Sequence, residues 1–302
     1  MTVIAVILPV FLLIFLGFGL KRSGFLGEAF WEAAERLTYF LLLPALLLST
    51  LAEAGFAGLG AGPMVLVIMA ALLVMAMVLL ALRPRLAPNG AAFTSVAQGS
   101  LRGNTYIGLA VAVGLFGARG LDAAAVAVAA TVPLVNVLSV AALTRFAGAQ
   151  PDFAGMLRAM ARNPLILACA IGLLLNLSGL GLPGVIDEML VLLGRGALPL
   201  GLLAVGAGLN VAAMRKTGRS LAAGLTLRLA ALPLLTALGC WIVGLSGMAA
   251  AVAVLFNALP TATSSYILAR HLGGDAQLMA GLITAQTGLA MLTLPLWLIL
   301  LT

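Results

Sequence analysis

Two stretches carry most of the polar chemistry in this chain. One reads Gln98-Gly99-Ser100-Leu101-Arg102-Gly103-Asn104-Thr105-Tyr106-Ile107-Gly108. The other reads Asn257-Ala258-Leu259-Pro260-Thr261-Ala262-Thr263-Ser264-Ser265-Tyr266. Each lies about midway along an otherwise apolar segment. Proline removes a backbone donor and clashes with the preceding turn. Gly-Asn-Thr favours side-chain to backbone bonds over the helical ladder. Both stretches therefore read as helix breaks at one depth. Half-helices restarting near Tyr106 and Ser264 would aim positive N-termini at the centre, where an anion is favoured. The carbonyls freed before each break could coordinate a cation or water. For one such segment alone, a packing kink lined by small residues is an equal reading. Two in corresponding places favour a site.

Three arginines, Arg102, Arg195 and Arg228, lie inside apolar segments. An ionisable residue there is a functional candidate once its partner is named. The nine acids are Glu28, Glu32, Glu35, Glu53, Asp122, Asp152, Asp187, Glu188 and Asp275, and all read as loop or span-end residues. None is available as a partner. Arg102, beside the first break, is therefore expected to meet an anionic substrate, a carboxylate held by two hydrogen bonds. Hydrogen bonds to freed carbonyls are its alternative role. Arg228, eight positions after Ser220, is expected to snorkel to the cytoplasmic face. Arg195, seven after Glu188, reads as snorkelling or packing.

The expected substrate-binding set is Arg102, Gly103, Asn104, Thr105, Pro260, Thr261, Thr263 and Ser264. Asn257 and Gln286, with Thr261, Thr263 and carbonyl oxygens, could coordinate sodium, since hard cations accept neutral oxygen ligands. Movement down the substrate's own gradient fits equally well. A proton relay is disfavoured, because the single histidine, His271, falls at a span end. An enzyme is excluded on the same inventory: there is no embedded acid pair, metal cluster or nucleophile with a base. Cys169 and Cys240 sit in apolar stretches without metal-ligand spacing and read as buried thiols. No cofactor or metal is expected.

The elements that position these residues follow from composition. Of 302 residues, 63% are hydrophobic and 8% charged, which excludes a soluble enzyme and a disordered chain. The net charge of +7 is scattered and does not indicate nucleic-acid binding. A bilayer core about 30 Å thick takes about 20 apolar helical residues. Ten spans are expected: Val3–Leu20, Leu37–Ala52, Pro63–Leu82, Ala91–Phe116, Ala123–Leu143, Pro164–Leu177, Val185–Leu209, Leu221–Leu245, Met248–Arg270 and Leu278–Leu301. The first lacks a basic leader and reads as a retained span rather than a signal peptide.

Lys21, Arg22, Arg36, Arg83, Arg85, Arg145, Arg158, Arg162, Arg215, Lys216, Arg219 and Arg270 follow the odd spans, whereas Arg119 alone follows an even one. The positive-inside rule then places both termini outside, on the periplasmic face of an inner membrane. The halves also echo each other. Pro9, Gly17, Ser23, Gly24, Leu37 and Pro44 recur 155 positions on, as Pro164, Gly172, Ser178, Gly179, Leu192 and Pro199. At an offset of 156, Thr105 meets Thr261 and Gly117 meets Gly273. Five spans per copy is an odd number, so the second copy, residues 157–302, is expected to be inverted relative to the first, residues 1–145. Such repeats place a substrate site between them.

Gly103-Asn104-Thr105-Tyr106-Ile107-Gly108 through Leu115-Phe116-Gly117 resembles the fourth span of the auxin efflux carrier family. Ala258-Leu259-Pro260 followed by Tyr266-Ile267-Leu268-Ala269-Arg270 resembles its ninth. Leu198-Pro199-Leu200 with Gly206-Ala207-Gly208-Leu209 is similar to its seventh. The resemblance covers essentially the whole chain. It implies an all-α membrane protein of ten helices in two inverted five-helix repeats, with crossed broken helices 4 and 9. It also implies a scaffold of spans 1, 2, 6 and 7, usually dimeric, and an elevator-like transport domain of spans 3–5 and 8–10. Plant members export the auxin anion, and bacterial members resemble permeases for small carboxylates such as malate or malonate. This chain has Gly103 where plant members have a proline, and a shorter loop at Arg145–Arg162. The expected function is a secondary carrier for a small organic anion, working by alternating access at the crossing of spans 4 and 9. A sodium-coupled carrier of the bile-acid type, an anion channel and a membrane sensor are the alternatives. The bile-acid type shares the ten-span plan, but its sodium sites include embedded acids.

Overall fold

The computed structural model describes residues 2–148, 155, 158, 160–216 and 218–300. Asp152 and most of the loop between Arg145 and Arg162 lie outside the described residues. Lipid offers no hydrogen bonds, so backbone this apolar must satisfy itself, and the chain is helical almost throughout. The helices are α1 (Val3–Arg22), α2 (Glu28–Leu37), α3 (Leu43–Glu53), α4 (Ala61–Leu86), α5 (Gly90–Leu101), α6 (Thr105–Phe146) and α7 (Pro164–Ser178). They continue as α8 (Gly184–Ala207), α9 (Gly218–Thr226), α10 (Leu232–Val243), α11 (Gly247–Ala258), α12 (Ser264–His271) and α13 (Ala276–Ile299).

Among the described residues, seven helical stretches are long and apolar enough to cross a membrane. They are Val3–Arg22, Glu28–Glu53, Ala61–Leu86, Thr105–Phe146, Gly184–Ala207, Gly218–Val243 and Ala276–Ile299. Pro164–Ser178 and Gly247–Ala258 are shorter apolar helices. Leu12, Leu174, Trp241 and Leu292 lie on exposed apolar faces, as lipid contact requires.

The segment expected as a loop before Leu37 is helical instead. In α2, Trp31 and Ala34 turn inward while Glu32 and Arg36 stay exposed, an amphipathic spacing that hydropathy alone reads as non-spanning. Turns of π-helix at Thr38–Leu42 and Leu227–Ala231 join α2 to α3 and α9 to α10. Each ends two residues before a proline, Pro44 or Pro233. The proline ring excludes the carbonyl four residues back, and the wider turn accommodates it.

Helix α6, 42 residues in all, is broken and sharply redirected at Gly117, between the expected end of the fourth span at Phe116 and the start of the fifth at Ala123. The dihedrals there, φ 62° and ψ −145°, are open essentially to glycine alone. Helices α5 and α11 lie at the centre: every residue of α5 from Ala92 to Leu101 is buried, as is every residue of α11 from Ala249 to Ala258. A helix buried all round suits a core position, and the small residues of both allow close packing.

Several local geometries recur at the sequence offset. The Ser23 hydroxyl donates to Leu20 O and accepts from Phe25 N–H. The Ser178 hydroxyl donates to Leu175 O and accepts from Leu180 N–H. Gly24 and Gly179 both have positive φ, as do Gly117 and Gly273. Gly17 packs against Leu203 O, and Gly172 against Leu48 O. These contacts are reciprocal, since Leu203 stands 155 positions after Leu48 just as Gly172 follows Gly17.

Candidate functional site

Both helix breaks form where the residue types place them. Helix α5 stops at Leu101 and α6 starts at Thr105, so Gly103 interrupts the span without a proline ring. Asn104 caps α6: its Oδ1 accepts from Tyr106 N–H at 3.1 Å and Ile107 N–H at 3.3 Å. Helix α11 stops at Ala258 and α12 starts at Ser264. The unwound residues meet as a short antiparallel bridge between Gly103 and Thr261. Asn104 N–H donates to Pro260 O at 2.9 Å, and Ala262 N–H to Arg102 O at 3.1 Å. Each break thus satisfies backbone groups that the other exposes. Asn104→Ala removes the cap and is expected to cost about 1 kcal/mol. A lowered melting midpoint of the purified variant is the check.

The expected residues divide into two groups. Arg102, Gly103, Asn104, Thr105, Thr263 and Ser264 line a small pocket of about 70 Å³, together with Tyr106 and Asn136. Pro260 and Thr261 do not reach it and instead hold the crossing. The Thr261 hydroxyl, 0% exposed, lies within bonding distance of Gly99 O and Gln286 Oε1, and its single proton serves one at a time. Gln286 has its bonding capacity filled by protein. Its Oε1 also accepts from Thr261 N–H at 2.8 Å, and its Nε2 donates to Gly99 O at 3.0 Å and Gly224 O at 3.2 Å. Asn257 Nδ2 donates to Thr236 Oγ1 at 2.8 Å and to Ile68 O at 3.4 Å, tying α11 to α10 and α4.

Arg102 forms the boundary between this pocket and a wider cavity of about 580 Å³. The cavity is lined by apolar side chains such as Phe40, Val140 and Ile267, with Tyr39, Asn136, Asn163 and Ser264 among its polar groups. Its rim includes Glu32, Arg36 and His271, all exposed. At its floor, Arg102 Nη1 donates to Asn136 Oδ1 at 2.6 Å and Nη2 to Ser264 Oγ at 3.3 Å. Arg102 Nε is buried and makes no hydrogen bond. Among the described residues no carboxylate lies within ion-pair distance of Arg102, but Glu35, expected in a loop, stands half-buried on α2 and lines both the pocket and the cavity with it. No group of three or more His, Cys, Asp or Glu is placed to hold a metal ion among the described residues.

Sequence reasoning passed over Asn136, although an Asn within Val135-Asn136-Val137 is the kind of embedded polar residue that marks a site. It also passed over the Tyr39–Asn163 pair. Asn163 donates to the Tyr39 hydroxyl at 3.2 Å while its Oδ1 caps α7 at Leu165 N–H. The largest correction concerns Arg228. It does not snorkel. It is 0% exposed and bonds to backbone carbonyls at both breaks. The π turn at Leu227–Ala231 is where it leaves the helix, an irregularity with no sequence signature beyond Pro233. Arg195 is exposed on α8.

Fold and site together define an integral membrane protein with several apolar helices and a polar centre made of two broken ones. Residues 154–298 match a family model described as membrane transport protein. The chain is also 27% identical to an uncharacterized transporter of Methanothermobacter thermautotrophicus over 293 residues, 96% of either chain. The second half of the chain is thus similar to membrane transport proteins, and nearly the whole chain to a transporter.

Proposed function

We propose that this protein is a secondary carrier that moves a small organic anion, a carboxylate, by alternating access at the crossing of its two broken helices. The observation that carries this reading is the Arg102 guanidinium. It sits on the floor of a cavity open at one end, between the starts of α6 and α12, with no carboxylate among the described residues within ion-pair distance. A guanidinium offers a fork matched to a carboxylate, and two helix N-termini favour negative charge at the same place. The apolar wall above it suits the carbon body of such an anion.

Ten crossings in two inverted repeats accommodate this function. The redirection at Gly117 supports division of α6 into two crossings, because 42 helical residues extend about 63 Å, twice the hydrocarbon core. The recurring Ser23 and Ser178 bonds and the reciprocal Gly17 and Gly172 contacts support two copies related by a two-fold axis. The cavity rim carries Arg36 and His271, beside the segments richest in basic residues. That supports a cytoplasm-facing cavity with both termini outside an inner membrane.

The test has two arms. Purified protein is melted against a panel of mono- and dicarboxylates, malonate and malate included, with and without sodium. A stabilising anion is then used in proteoliposomes preloaded with the same anion. A carrier shows saturable uptake accelerated by the internal anion. Absence of stabilisation by every carboxylate would overturn the substrate class. Flux without acceleration by internal anion would indicate a channel.

A further inference from the structure

Arg228 spends its guanidinium on carbonyls that the ends of α5 and α11 leave without an amide partner. Nη1 donates to Ser100 O at 3.2 Å and to Leu101 O at 3.1 Å, closing the end of α5. Nε donates to Leu259 O and Nη2 to Phe256 O at 3.1 Å, closing the end of α11. Two helix C-termini thus converge on one point. Each carries about half a negative charge, so together they call for roughly one positive charge. Arg228 supplies it from a position 0% exposed, and no carboxylate among the described residues lies within ion-pair distance.

Carbonyl oxygens gathered from two broken helices are also the ligand set that hard cations take in secondary transporters. Here the seat is filled covalently. Gly103 makes the room, since a Cβ built there would stand 2.6 Å from Arg228 Nη2 and 3.2 Å from Phe256 O. We propose that Arg228 is a tethered cation occupying the cation seat of the crossover, in space left by Gly103, so that the protein needs no inorganic cation to close its two breaks. The consequence for transport, the absence of a coupling sodium ion at this seat, rests on the carrier reading. The seat itself is tested without any substrate, so the two can fail separately.

The experiment melts the purified full-length chain in detergent. The wild-type midpoint is expected to be the same in sodium chloride and in choline chloride at equal ionic strength. Arg228→Ala is expected to melt lower by roughly 10 °C. About 10 mM guanidinium is expected to return at least half of that loss by binding the vacated seat, and tetramethylammonium to return none. A sodium-specific rise in the wild-type midpoint overturns the proposal, as does an Arg228→Ala variant that guanidinium helps no more than tetramethylammonium does. If Arg228→Ala yields no folded protein, Arg228→Lys keeps the charge but removes the fork. Gly103→Ala is then expected to lower the midpoint less in the Arg228→Lys background than in the wild type, because its Cβ no longer meets Nη2. An equal loss in both backgrounds overturns the proposal.

Discussion

Arg102→Ala is expected to reduce uptake of a transported carboxylate about 100-fold while leaving the protein folded. That factor corresponds to about 2.7 kcal/mol, within the range of a charge-assisted hydrogen-bonded pair lost from a partly dry site. The expected effect is large because Arg102 is already aimed. Asn136 holds Nη1 at 2.6 Å and Ser264 holds Nη2 at 3.3 Å, one group from each side of the crossing. An arriving anion therefore meets a positioned guanidinium and spends little on ordering it. The fold should survive, because Arg102 bonds to two side chains rather than to the backbone of a break. Arg102→Lys keeps the charge and loses the fork, so uptake about tenfold below wild type is expected. Asn136→Ala should fall between the wild type and Arg102→Ala, since it frees the guanidinium without removing it. The measurement is initial uptake into proteoliposomes, with the melting midpoint as the control for folding. Wild-type uptake by a folded Arg102→Ala protein would remove the guanidinium from the substrate path.

Gly206→Val is expected to destabilise the fold by about 3 kcal/mol or more, the upper range for overpacking. A Cβ at Gly206 would stand 1.8 Å from Ile14 O and 2.7 Å from the Ile14 carbonyl carbon. Both are backbone atoms of α1, so no rotamer change relieves the clash. Gly17 makes the same kind of approach in the other direction, with Leu203 O 2.1 Å from its hypothetical Cβ. Helices α1 and α8 therefore meet backbone to backbone over two glycines, and a side chain at either forces them apart. Small residues permit such approach in lipid, where association rests on packing rather than on water release. Loss of the monodisperse peak in detergent, or a melting midpoint many degrees lower, is the expected readout. Gly19, on the opposite, exposed face of α1, has open space around its hypothetical Cβ, so Gly19→Ala should be nearly silent. Equal behaviour of the Gly206 and Gly19 variants would contradict the packing described.

The positions of the breaks were legible because they depend on local chemistry. Gly103-Asn104 supplies flexibility and a cap, and Pro260 removes a donor, whatever surrounds them. The restarts near Tyr106 and Ser264 follow directly, and α6 and α12 begin at Thr105 and Ser264. Membrane character was legible for a similar reason: 63% hydrophobic and 8% charged residues leave no other solvent for the chain. The amphipathic α2 was not, since its face matters only once α3 continues it.

The two arginines mark the limit most clearly. By sequence, Arg102 and Arg228 are alike: each is a cation in an apolar segment without an acidic neighbour. Counting eight residues from Ser220 assumes a regular helix and a free path to the surface, and Arg228 has neither. Its partners Ser100 and Leu101 lie 128 and 127 positions away, and its own helix widens where it departs. Local pattern determined the solvent, the breaks and the caps, because propensity and hydropathy act over a few residues. Tertiary packing decided which cation holds the backbone and which faces the cavity, because that choice depends on carbonyls brought together from opposite halves of the chain.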